Sequence, residues 1–123
     1  MMKYNIQSKK MYVSGPITDN ATCEKDFSNA TKFLMSEGYD VMNPMLICPP
    51  DKLRFQHQKD EAEIRGDWNY YMREALKKLV ICDEIYMLIG WSKSKGALLE
   101  HKIAQELGMP IMYQGVVKEE ILA

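Results

Sequence analysis

The sequence contains no CxxC pair. Its three cysteines, Cys23, Cys48 and Cys82, are scattered, which gives no support to zinc-knuckle or thioredoxin-like chemistry. An odd number of thiols fits a reducing compartment. No apolar run approaches the length needed to cross a bilayer. The opening MMKYNIQSKK lacks the apolar centre of a signal peptide. The expected location is therefore the cytoplasm, with no membrane partner. Charge of one sign is also lacking. The formal net charge is -1, and Lys and Arg form no long block, so nothing points to a surface for a nucleic-acid polymer. Small anionic ligands stay open, because they need local donors rather than global charge. There are two histidines, His57 and His101, and no carboxylate cluster at metal spacing, so neither a metal site nor a metal or redox cofactor is expected. GxxxxGK[ST] and GxGxxG are both missing, as is any internal repeat.

What is there is ordinary globular material: 123 residues, 46% hydrophobic and 27% charged. That suits one compact domain over 1–123, large enough to bury a core without staples. MYV, at Met11–Val13, makes a short strand ended by Ser14, Gly15 and Pro16. A helix follows, with Phe27, Ala30 and Leu34 at helical spacing and Gly38 as its stop. YDVMNP is a second strand, ended by Asn43 and Pro44. From Met45 to Gly66 the chain carries Pro49, Pro50 and many charges, which reads as a loop, a lid or a subunit contact with at most a turn or two of helix. Asp67 is the expected N-cap of the next helix, whose face is Trp68, Tyr71, Met72, Ala75 and Leu79. DEIYMLIG is nearly all apolar, as befits the middle of a parallel sheet. A serine- and glycine-bearing loop then feeds a helix, MPIMYQ is the last strand, and VVKEEILA forms a short terminal helix.

Strands and helices that alternate in this way predict a Rossmann-like, flavodoxin-like α/β three-layer sandwich with a central parallel sheet. In such folds ligands sit beyond the carboxyl ends of the strands. Three stretches converge there: Gly15 to Asn20, Asn43 to Pro44, and Gly90 to Gly96. In the first, Gly15 lets a backbone approach closely, Pro16 and Ile17 follow it, and Thr18, Asp19 and Asn20 either touch a ligand or cap the next helix. In the last, Trp91 either stacks on a base or plugs a subunit interface. SKSKG, at Ser92–Gly96, combines hydroxyls, free N–H groups and a helix start, which suits an anion. Ser94 caps the helix and remains able to meet a phosphate, with Lys95 and Gly96 beside it. Tyr12 reaches the crevice with its hydroxyl or stays structural.

Glu100 is the odd residue. With the helix starting near Ser94, its apolar face is Gly96, Ala97, Ile103, Ala104 and Leu107. Glu100 shares that face by its three- and four-residue spacings. A carboxylate there costs free energy unless something holds it. It is either a core-edge carboxylate bonded to a tyrosine or backbone N–H, or a nucleophile or base facing the crevice. His101 points about 100° away on an ideal helix and is given no catalytic role.

MYVSGPIT, DEIYMLIGW, SKGALLEHKIAQELG and the closing strand, over roughly residues 10–114, together resemble the nucleoside 2-deoxyribosyltransferase-like superfamily. More narrowly, they are similar to a phage and bacterial branch of it, typified by YISGPIT, a YMR helix and GWxxSKGAxxEH. The resemblance implies cleavage of an N-glycosidic bond in a nucleoside or nucleotide, with Glu100 as the nucleophile on the anomeric carbon and Tyr12 positioning it. It also implies that Ser94 meets the sugar 5′ end, where serine favours a phosphate over a hydroxyl, and that the chain forms a homo-oligomer, dimer or larger. The apolar face around Trp68 and Tyr71, or the long loop, is the expected subunit contact. Two departures stand out. The superfamily's aspartate that protonates the leaving base falls on Ala75, so Asp67 or Glu74 would have to act, or the chain is a nucleotide-binding module without turnover. The nucleotide hydrolases' first-loop arginine is missing from GPITDNATC, which leaves Lys93 or Lys95 to supply positive charge.

Overall fold

In the computed structural model, residues 8–46 and 61–115 are described, those at 61–67 by their backbone alone. Four parallel strands, β1 (Lys10–Ser14), β2 (Asp40–Met42), β3 (Glu84–Met87) and β4 (Ile111–Tyr113), form one sheet in the order β2-β1-β3-β4. Three α-helices cover it: α1 (Cys23–Ser36), α2 (Glu61–Val80) and α3 (Lys95–Glu106).

Alternation along the central strands explains the layers. Successive side chains on a strand point to opposite faces. Met11, Val13, Tyr86 and Leu88 turn to one face, where they bury Cys23, Phe27, Ala30 and Leu34 of α1. Tyr12, Ile85 and Met87 turn to the other, against Tyr71, Met72, Ala75 and Leu79 of α2 and Ala97 and Ala104 of α3. Both faces are thus covered, which is why β3 continues from Glu84 into the buried, largely apolar run Ile85, Tyr86 and Met87. The result is the expected three-layer sandwich. Full burial of a Phe or Leu side chain contributes about 1.5–3 kcal/mol, and Phe27, Leu34 and Leu79 are all completely buried.

The stop after α1 has its expected cause. Gly38 takes φ +96°, and the next N–H, of Tyr39, donates back to the Leu34 carbonyl at 3.1 Å, closing the last turn as a left-handed glycine does.

Three expectations change. Asp67 is not an N-cap, because α2 begins six residues earlier at Glu61. The run EAEIR is good helix-forming sequence that outweighs the roughly 1 kcal/mol cost of an internal glycine at Gly66. Leu107 leaves the buried face of α3, since it lies past the last helical residue and is exposed. The face with Trp68 and Tyr71, read as a subunit contact, turns inward, with Tyr71 buried and Trp68 packed against the same core. The expected loop or lid at 47–60 and the terminal helix at 116–123 lie outside the described residues.

Candidate active site

Chain order reverses at β1, which has β2 on one side and β3 on the other. A crevice opens beyond the carboxyl ends of strands at such a switch point. Its floor depends on Gly15. A Cβ there would stand 2.8 Å from the Cβ of Leu88, closer than such atoms approach, so only glycine lets the loops after β1 and β3 meet. The Leu88 N–H donates to the Ser14 carbonyl at 2.8 Å and seals the contact. The cleft above has a volume of about 590 Å³, within the range of small-molecule sites. Its walls are the loop from Gly15 to Asn20, the α2 side chains Trp68, Tyr71 and Met72, and the start of α3 with Glu100.

Ser94 caps α3, its hydroxyl accepting from the Ala97 N–H at 3.2 Å. That fixes the helix phase and turns Ala97, Glu100 and Ala104 inward. Glu100 is 4% exposed. What holds it is a pair of hydroxyls from alternate residues of β1. Tyr12 donates to Oε2 at 2.5 Å and Ser14 donates to Oε1 at 2.6 Å. Burial pushes the Glu100 carboxyl up to about 7, against the pull of the Ser14 and Tyr12 hydrogen bonds, which favour the charged form. The Tyr12 phenol is held well above its ordinary range, first by burial and then by the neighbouring Glu100 charge. Tyr12 therefore stays a donor. A buried carboxyl that titrates near neutrality and lines a cleft has the properties required of a nucleophile or a proton-transfer group.

Gly15, Pro16, Ile17, Ser94, Lys95, Gly96 and Glu100 all line the cleft, and Tyr12 is tied to it through Glu100. Two other candidates do not line it. Asn43 is spent on the turn after β2, its Oδ1 accepting from the Met45 N–H at 2.9 Å, while its neighbour Pro44 lines the wall. Trp91 stacks on His101, with ring centroids 4.2 Å apart, beside Tyr113. His101 is in turn bonded through Nε2 to the Tyr113 hydroxyl at 2.8 Å. The aromatic side chain at the cleft is instead Trp68, with the Lys95 ammonium 4.1 Å from its ring centroid.

Sequence reading missed Ser14 as a site residue. The signal was present: Ser14 lies two residues after Tyr12, on the same face, and is the second hydroxyl-bearing side chain in the buried run Met11–Ser14. Thr18, Asp19 and Asn20 line the cleft as well. Asp19 takes φ +59°, a left-handed conformation that aspartate tolerates better than most residues. Ala75 is completely buried in the core. Of the stand-in acids, Glu74 pairs with Lys77 at 3.0 Å away from the cleft, and the side chain of Asp67 lies outside the described residues. The cleft carboxyls besides Glu100, among the described residues, are Asp19 and Asp26. Among the described residues no group of three His, Cys, Asp or Glu is placed to hold a metal ion, and no helix is long and apolar enough to cross a membrane.

The fold and cleft define a class: parallel α/β proteins that present a buried carboxyl to a crevice at the switch point of the sheet. The chain belongs to the family described as Domain of unknown function (DUF4406), whose model matches residues 9–113. No curated protein matches it.

Proposed function

We propose that the protein cleaves the N-glycosidic bond of a nucleoside or nucleotide, as an N-glycosidase or deoxyribosyltransferase. The observation that carries this reading is Glu100, buried at the cleft with one hydroxyl donor on each oxygen. Ionised Glu100 attacks the anomeric carbon. The bond to the base breaks, its electron pair goes to the base nitrogen, and a glycosyl ester of Glu100 remains. Water or a second base then attacks the same carbon and releases the carboxylate. Tyr12 and Ser14 limit the rotation of the carboxylate, so it meets the oxocarbenium-like centre already oriented. The resemblance to the nucleoside 2-deoxyribosyltransferase-like superfamily points the same way.

Base departure requires a proton. Asp26 already accepts from Asn20 at 3.2 Å and Thr22 at 2.9 Å. Asp19 has no partner among the described residues, so it is the cleft carboxyl available for that task. Lys93, Ser94 and Lys95 at the start of α3 supply donors and positive charge to a 5′-phosphate. The site needs no cofactor. The protein is assigned to the cytoplasm, where the thiols of Cys23, Cys48 and Cys82 stay reduced. Its partner is a small nucleoside or nucleotide, and it assembles as a homo-oligomer.

The test is a chromatographic panel of ribo- and deoxyribonucleosides and their 5′-monophosphates, with and without a second free base. Base release or exchange by the wild type is expected, together with its loss in Glu100→Ala. The buried Ala75, where the superfamily carries an acid, favours one second reading: a nucleotide-binding module without turnover. That reading requires a nucleotide-dependent rise in melting temperature that survives Glu100→Ala, with no base released by the wild type.

A further inference from the structure

Trp68 and Lys95 are the only aromatic–cation pair on the cleft wall among the described residues. The Lys95 ammonium lies 4.1 Å from the centroid of the indole ring and has no carboxylate partner among the described residues. Trp68 comes from α2 and Lys95 from the first residue of α3. Gly96 adjoins the pair: a Cβ at that position would crowd the Met72 sulfur at 3.1 Å and would make only ordinary contact, at 3.9 Å, with the indole Nε1, so the ring lies along the first turn of α3. Four residues further on, Glu100 lines the same cleft.

We infer that this pair is the specificity element of the site: Trp68 stacks the base of the ligand, and Lys95 leaves the ring to meet the ligand's anionic group. The inference rests on the proposed N-glycosidic activity and names the two residues that select its substrate. An ammonium over an indole is attracted to the ring's negative face, and at a solvent-accessible site that attraction is weak. A phosphate offers the same ammonium a stronger, charge-assisted hydrogen bond. A ligand that carries both groups therefore replaces one weak contact by two, a salt link and a ring–ring stack. A nucleoside offers only the stack, and a sugar phosphate offers only the anion. The pair thus favours ligands in which an aromatic base and an anion are joined by one sugar.

The two tryptophans of the chain are Trp68 and Trp91. Because Trp91 is stacked on His101 and does not line the cleft, Trp91→Phe leaves Trp68 as a sole reporter. The experiment titrates this protein with the four deoxynucleoside 5′-monophosphates, the matching nucleosides and deoxyribose 5-phosphate, and reads indole emission and Kd. Quenching is expected with the base-bearing ligands, most tightly with a monophosphate. In the otherwise wild-type chain, Trp68→Leu is expected to weaken the best monophosphate roughly tenfold, the loss that follows removal of one base–ring stack, and to leave deoxyribose 5-phosphate within about twofold. Trp68→Phe restores most of the affinity. Lys95→Met weakens both phosphate-bearing ligands and spares the nucleoside. Equal weakening of all three ligand types by Trp68→Leu would make the indole a packing residue and overturn the inference. Base release with no dependence of Kd on Trp68 overturns it while the proposed activity stands. No binding and no release by the wild type overturns both.

Discussion

At the scale of the residue, Glu100 stands at the centre of the account, and its pH behaviour has a definite sign. The folded chain holds the proton up to about pH 7, against an ordinary value of 4.5. Between those values the folded state binds more protons than the unfolded one, so stability falls as pH rises through that window. The contribution is fully present below 4.5 and lost above 7, and a shift of this size corresponds to something on the order of 3 kcal/mol. Glu100→Gln carries no such charge. In urea unfolding it is expected to be more stable than wild type at pH 8 by about 2 kcal/mol, with the gap closing by pH 5; parallel stability curves would refute the buried-charge account. The proposed activity has the opposite slope, because Glu100 must be ionised to attack as a nucleophile. kcat/KM is expected to rise with pH through an inflection near 7. Tyr12→Phe removes a hydroxyl that favours the charged form, so the inflection should move upward by about one unit. That Glu100 sits on the buried face was legible from its spacing to Ala97 and Ala104. That two hydroxyls of one strand hold it was only half legible. Tyr12 stood out as a polar-tipped aromatic residue, whereas Ser14 reads as the start of a turn until strand alternation is followed one residue further.

At the scale of the element, two short features decide whether the cleft forms. Ser94→Ala deletes the α3 cap seen at Ala97. It is expected to cost about 1 kcal/mol and, if the same hydroxyl meets a phosphate, to weaken monophosphates more than nucleosides. Gly15→Ala forces its new methyl against the Cβ of Leu88 at 2.8 Å. Because that atom is fixed to its backbone, the loops must part. A loss of about 1–3 kcal/mol by thermal or urea unfolding is expected, with impaired ligand binding in the fraction that folds. The α3 start was readable because a serine, a glycine and an apolar period coincide there. The α2 start was not, because Gly66 and Asp67 together imitate a helix boundary, and only the residues before them carry the helix through. Asn43 sat at the right end of its strand, yet its amide oxygen is taken by the Met45 N–H, a local bond that strand position alone does not reveal.

At the scale of the whole molecule, strand and helix order was enough to locate a cleft beyond the carboxyl ends of the strands, since the carboxyl ends of parallel strands point one way by construction. The same order cannot tell which aromatic residue reaches that crevice. Trp91, next to the loop, is captured by His101 and Tyr113, and Trp68, from a distant helix, takes the wall. Long-range packing of this kind leaves no local signature. A ligand that binds the folded state alone raises stability by mass action. A deoxynucleoside 5′-monophosphate at about a hundred times its Kd is therefore expected to add roughly 2.7 kcal/mol, readable as a shift in melting temperature. The proposed homo-oligomer is checked by light scattering at working concentration, where a monomer would remove it.

The most direct measurement is the intact mass of the protein quenched in acid during turnover with a deoxynucleoside or its 5′-monophosphate, followed by peptide mapping. The expected result is a mass increase equal to the bound glycosyl group, located on the peptide that contains Glu100 and missing in Glu100→Gln. Base release by the wild type with no adduct under single-turnover sampling, or release undiminished in Glu100→Gln, would contradict Glu100 as the nucleophile.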